Sequence, residues 1–184
     1  MTSSTITIQE MQELLIHAVK KSTANVFSTM LGLDVEAGIA ITNSGSQGPT
    51  DGVVSLIGLA GPWMGTGSIS CSPQIACKIS SALLLTEFDA VDEEVLDAIG
   101  EITNMVIGNV KTMLEEKVGS MGLSIPTIIF GRNFLTKCGG SNGWTVVPFQ
   151  FDSEKLLVQV CLIQNDAGKQ GTVGRLHRSG TDHE

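Results

Sequence analysis

A chain of 184 residues is long enough for one domain with a substantial core. Apolar residues make up 42% and charged residues 16%, a balance that excludes a disordered chain. The net charge of −8 repels nucleic acid and anionic membrane, so neither is expected as a partner.

The opening Met1-Thr2-Ser3-Ser4 has no basic cluster and no apolar run follows, so no signal peptide is read. No apolar stretch reaches the roughly 18 residues that a membrane span needs. A cytoplasmic protein is therefore expected. Of the four cysteines, Cys71 and Cys77 have a spacing that suits neither a zinc knuckle nor a redox pair. Cys71 and Cys161 lie in apolar, strand-like runs, and reduced buried thiols are expected.

Residues 8–31 carry Met11, Leu14, Leu15, Ala18, Val19 and Val26 at helical spacing, with Gly32 placed to end the helix. Residues 34–42 read as a strand and 43–52 as a polar loop. Residues 53–61 and 65–72 read as two strands around a turn at Pro62-Trp63-Met64-Gly65. Ser72-Pro73 supplies a capping hydroxyl and a first-turn proline for a helix to about Leu85. Asp92-Glu93-Glu94 opens a long helix to about Lys117, ending near Gly119. Residues 123–130, 144–151 and 155–163 read as strands. Gly139–Gly143 joins the first two, and Asn142-Gly143 is a hairpin signal. From Gln164 the pattern dissolves into a polar tail expected to be mobile.

The order of elements repeats: a helix and three strands, a connecting helix, then a helix and three strands. His17-Ala18-Val19 lines up with Asp97-Ala98-Ile99, Leu33-Asp34-Val35 with Leu123-Ser124-Ile125, and residues 53–59 with 156–162. This points to a duplication, or to no more than the general likeness of apolar strands. The expected fold is α+β: two pseudo-repeated units forming one sheet packed by two long helices. Residues 1–163 are expected to form the single domain and 164–184 the tail.

The long helix carries the chemistry. At about 100° per residue, Asp97, Glu101, Asn104 and Gly108 share one narrow face. Leu96, Ile99, Ile102, Val106, Val110 and Met113 fall on the other side. The bland alternative is a solvated polar face. Against it, the four positions hold no lysine or arginine, and Asn104 and Gly108 are poor helix formers, costing about 0.5–1 kcal/mol each against alanine. The stripe offers no nucleophile beside a base and no P-loop. His17, His177 and His183 lie elsewhere, so no histidine assists the carboxylates with a metal. An amide cannot take a proton at neutral pH. It can hold an attacking water, and positioning is a large share of catalysis in phosphoryl transfer.

The segment Asp97-x3-Glu101-x2-Asn104, the following Gly108-Asn109, and Pro126 within Leu123-Ser124-Ile125-Pro126-Thr127 resemble the motif of the CheC/CheX/FliY chemotaxis phosphatases. Twenty-one residues (105–125) separate Asn104 from Pro126, one fewer than in the family pattern. The likeness extends over residues 8–163 in the order of elements and is specific in 95–131. On the first helix the matching positions are Lys21 and Ala24, so only one site is competent, as in the CheX branch.

The resemblance implies a CheC-like fold and hydrolysis of the phospho-aspartate of a CheY-type response regulator. It implies that Asn104 orients the water and that Glu101 pairs with a receiver lysine. Asp97 and Gly108 would meet the partner, while Asn109 and Pro126 would shape the surroundings of the site. It implies no cofactor or metal in this chain, Mg2+ in the phosphorylated receiver, and a homodimer formed across sheet edges, for which 144–151 is a candidate. Two other readings stay open. One is a non-catalytic adaptor or regulator in two-component signalling. The other is a structural protein whose stripe is a dimer contact.

Overall fold

The computed structural model describes residues 6–43, 50–137, 143–151 and 153–165. Helix α1, Ile8–Val26, starts at a capping box: Thr7 Oγ1 accepts from the Glu10 amide at 3.2 Å, and the Thr7 amide donates to Glu10 Oε2 at 2.8 Å. It widens into a π-helical turn, Phe27–Leu31, and stops at Gly32, whose φ of 64° suits a residue without Cβ. Helix α2, Pro73–Leu84, is capped by Ser72 Oγ, which accepts from the Ile75 amide at 3.2 Å. Helix α3, Glu93–Val118, is capped by Asp92, whose carboxylate accepts from the Val95 amide at 2.9 Å. Gly119 closes α3 by donating to the Glu115 carbonyl at 3.1 Å.

Eight strands follow in chain order: β1 Glu36–Ala37, β2 Ile41–Asn43, β3 Thr50–Ala60, β4 Trp63–Cys71, β5 Gly122–Leu123, β6 Thr127–Phe134, β7 Trp144–Phe151 and β8 Glu154–Gln164. They form one antiparallel sheet in the order β1-β7-β8-β4-β3-β5, with β2 also on β7 and β6 also on β3. The predicted strand 34–42 is thus two short pieces, and the turn before β4 is only Gly61-Pro62, because Trp63 is already paired with Gln164.

The pairing is exchanged between the halves. The β3–β4 hairpin of the first half receives β5 and β6 of the second, and the β7–β8 hairpin of the second receives β1 and β2 of the first. The two hairpins meet at β4 and β8. The two halves are arranged alike, with β3 in the place of β7 and β4 in that of β8, so the match of residues 53–59 to 156–162 joined strands of different places. The strand order also overturns the expected 123–130/144–151 hairpin: β6 and β7 lie on opposite sides of the sheet, and Asn142 falls outside the described residues. Nor is β7 an edge, since β8 and β1–β2 flank it.

The three helices cover one face of the sheet. α3 packs on β3, β4 and β6 and against α1 and α2. Between them lie Val53, Ile57, Ile69, Val147, Phe149, Val158 and Val160, all buried, with Phe27 meeting Phe151 edge to face at 6.2 Å between ring centres. β4 bends close under α3 at Gly67, where a Cβ would stand 2.8 Å from Ile107.

On the other face, Trp144, Val146 and Cys161 form a small buried cluster. Leu135, Thr136 and Lys137, after β6, line a hollow with Trp144 and Cys161 on that face. Cys161 is disulfide-bonded, not the free thiol expected, and its partner lies outside the described residues, as does Cys138. Cys161 faces away from the helices, beside Trp144 and Val146. Cys71 and Cys77 are free and buried as expected. Burial pushes the Cys71 thiol up to about 12, with smaller contributions from Cys77 and Glu154. Among the described residues no helix is long and apolar enough to cross a membrane. The tail predicted from Gln164 begins later: Gln164 pairs with Trp63 at the end of β8 and the Asn165 amide donates to the Pro62 carbonyl at 2.8 Å, while residues 166–184 lie outside the described residues.

Candidate functional site

Along α3, Asp97, Glu101 and Asn104 are exposed and Gly108 half-buried, so the structure brings the four predicted positions to one face. Behind them Ile99, Ile102, Val106 and Val110 are fully buried. The sequence reading missed part of that inner face: Val95, Ala98, Gly100, Thr103, Ile107 and Leu114 are buried too. Thr103 is polar there because its hydroxyl donates to the Ile99 carbonyl at 2.8 Å. Asn109 is exposed beside Gly108.

The stripe makes no contribution to the fold by its polar atoms. Among the described residues, the side chains of Asp97, Glu101, Asn104 and Asn109 have no hydrogen bond or ion pair. A helix interior gains nothing from an unpaired asparagine. Gly108 is likewise unforced: a Cβ there would meet only Leu123 Cδ1 at 3.8 Å, an ordinary contact. Gly100 differs. Its Cβ would stand 3.1 Å from Ile128 Cδ1 and 3.8 Å from Pro126 Cβ. Pro126 therefore sits against α3 one turn before Asn104, immediately ahead of β6.

The proline is held from the sheet side. The Ser124 amide donates to the Gly58 carbonyl at 3.0 Å, and Ser124 Oγ accepts from the Gly58 amide at 2.8 Å. The same hydroxyl donates to the Ile125 carbonyl at 2.9 Å. Two backbone groups of β3 beyond the reach of β5 and β6 are thereby satisfied. No sequence pattern announced this serine.

α1 repeats the burial pattern of α3 eighty positions earlier: His17, Lys21 and Ala24 are exposed where Asp97, Glu101 and Asn104 stand, and Ser22, Thr23 and Val26 are buried where Ile102, Thr103 and Val106 stand. The geometry of the face is duplicated, but its carboxylate and amide are not.

The stripe is exposed helix surface. A hollow of about 560 Å³ lies elsewhere, between α2 and the end of β7, lined by Asp34, Lys78, Glu87, Phe88 and Phe151 among others. Small-molecule sites are concave and enclose most of their ligand. An exposed amide and carboxylate on a helix face can instead enter a groove of another macromolecule. Among the described residues no three His, Cys, Asp or Glu side chains converge as metal ligands.

A family model described as chemotaxis phosphatase CheX matches residues 53–150, more than half of the chain. The chain belongs to the CheX family. The CheY-P phosphatase CheX of Thermotoga maritima is 30% identical over 131 residues, covering 71% of this chain and 84% of that relative. The chemotaxis protein CheX of Vibrio vulnificus superposes with a TM-score of 0.73 at 25% identity, covering 81% of this chain and 99% of that one. A CheX of Borrelia burgdorferi, solved as a CheX-CheY-BeF3-Mg2+ complex, superposes with a TM-score of 0.70 at 26% identity, covering 80% and 97%. The CheC-like fold expected from the sequence is the fold observed.

Proposed function

We propose that this protein hydrolyses the phospho-aspartate of a CheY-type response regulator, with α3 as the element that enters the receiver. The observation that carries the reading is the pair Glu101 and Asn104, exposed one turn apart on α3 and bound to no other described residue. Family membership supports the reaction class, and the relative from Thermotoga maritima is named a CheY-P phosphatase.

The Asn104 amide holds a water in line with the phosphorus–oxygen bond. The water oxygen forms the new bond to phosphorus, and the aspartate carboxylate leaves with the old bonding pair. The amide keeps its protons, so the water's proton departs with the inorganic phosphate. Glu101 pairs with a receiver lysine and fixes the register of the helix, which suits the acidic charge of the chain. Asp97 adds negative charge at the receiver rim, and Gly108 lets the partner's backbone approach. Mg2+ would be held by the receiver, a reading supported by the presence of Mg2+ in the CheX-CheY-BeF3-Mg2+ complex.

We further propose a homodimer through the β1–β2 edge, where Ile39 is 85% exposed and Ile41 is also exposed. Light scattering on the purified protein tests it, and a monomeric mass overturns it. The test of the activity is the decay rate of phosphorylated receiver with and without the protein. Acceleration that vanishes in Asn104→Ala supports both the reaction and the residue. No acceleration with any receiver overturns the activity.

A further inference from the structure

Beside the polar stripe runs a short apolar rim that none of the assigned roles uses. Leu123 lies against Gly108, and Pro126 and Ile128 lie against Gly100. The segment 123–128 therefore runs antiparallel to α3, from the turn after Asn104 to the turn before it. Ile125 falls between these two contacts, within about one turn of Asn104 along the helix, and it is 85% exposed. The strand then continues along the helix. Two strand residues advance about 6.6 Å and four helix residues about 6 Å, which brings Phe130 level with Leu96, next to Asp97. Phe130 opposes Val53 in the sheet, so it points to the helix side, yet it is 50% exposed.

A single exposed isoleucine needs no explanation. Two features set this one apart. It is accompanied on the same side of α3 by a second exposed large apolar side chain, Phe130, so the two line one edge of the stripe. And its backbone is fixed: Ser124, the residue before it, is tied to Gly58 by two hydrogen bonds, the Ile125 carbonyl accepts from Ser124 Oγ, and Pro126 restricts the residue before it. An apolar group held rigid before binding loses little freedom on contact, which is the condition for a strong anchor.

We infer that Ile125, with Phe130 as the outer contact, is the apolar anchor by which the receiver domain is seated on α3. The inference rests on the reading of α3 as the receiver-binding face. Continuity with that face names the occupant: any protein close enough for Asn104 to reach its phosphoryl group covers Ile125 as well. Ile125 is a positioning and affinity residue. It touches the partner's surface and not the reacting atoms.

The experiment pairs direct binding with turnover. A receiver loaded with beryllium fluoride and Mg2+, a stable stand-in for the phosphorylated form, is titrated into wild-type protein, Ile125→Ser and Leu85→Ser. Leu85 is 90% exposed at the end of α2 and serves as the control. The inference expects Kd and KM to rise about tenfold for Ile125→Ser (about 1.4 kcal/mol), with kcat and the melting temperature unchanged, and no change for Leu85→Ser. An unchanged Kd for Ile125→Ser overturns the anchor, whatever the turnover. Weaker receiver binding by Ile125→Ser, together with a wild-type protein that binds the receiver but does not accelerate its decay, keeps the anchor and overturns the phosphatase. Wild-type protein that binds no receiver overturns both.

Discussion

Replacing Asn104 by alanine is expected to raise stability while it removes activity. The side chain is exposed and has no partner among the described residues, so nothing in the fold is lost with it. Alanine is the better helix former by up to about 0.7 kcal/mol. For a domain of this size, 1 kcal/mol shifts the melting temperature by about 2–4 °C, so a gain of up to roughly 1–3 °C follows. Catalysis should fall by about 100-fold or more, the size of effect that a misplaced reactant produces. Two measurements on the same preparation suffice: thermal unfolding by circular dichroism, and decay of phosphorylated receiver against concentration. An unchanged kcat refutes the water-positioning role. A melting temperature lower by several degrees refutes the claim that the residue is kept for chemistry and not for the fold.

Glu101→Gln should raise KM with little change in kcat, and the wild-type KM should itself rise with salt while that of the variant rises less. Equal salt slopes contradict the pairing. Gly108→Ala should stabilise α3 by about 0.8–1 kcal/mol in urea unfolding, since its Cβ meets only Leu123 at 3.8 Å, but should weaken receiver binding. Gly67→Ala should destabilise by about 1–3 kcal/mol, because its Cβ would lie 2.8 Å from Ile107, a side chain buried under α3. The Cys71 thiol, pushed up to about 12 chiefly by burial, titrates above its unfolded value. That contribution to stability is fully present below the ordinary thiol value and is lost as pH rises toward 12. Iodoacetamide should therefore modify Cys71 far more slowly in native protein than in urea, and equal rates count against its burial.

Helix ends were legible because their signals are local. Ser72-Pro73, Asp92, Gly32 and Gly119 each act within a few residues of where they stand, and the structure places the boundaries within about a residue. The exposed face of α3 was legible for the same reason, since the 3.6-residue period decides which side chains share a side. Strand partners were not. Asn142-Gly143 promised a local hairpin, but the run at 127–134 finds its neighbour in β3, more than seventy positions back, a choice made by packing under α3. Ile125 escaped notice because exposure depends on the neighbours that fail to cover it. Cys161 escaped because spacing along a chain does not say which cysteines meet in space.

The exchange of strands between the halves bears on how the protein is made. Once β4 has been synthesised to Cys71, the β3–β4 hairpin presents two unsatisfied flanks, and the strands that close them end at Phe134 and Gln164. At about 5–20 residues per second, synthesis of the remaining stretch takes roughly 5–20 s, during which an apolar hairpin waits for partners. Val54 must find Ile129, and Ile41 must find Val146. Such distant pairings make folding slow and all-or-none. A ribosome stalled after the first half would release a sticky fragment with open edges, not a smaller working domain.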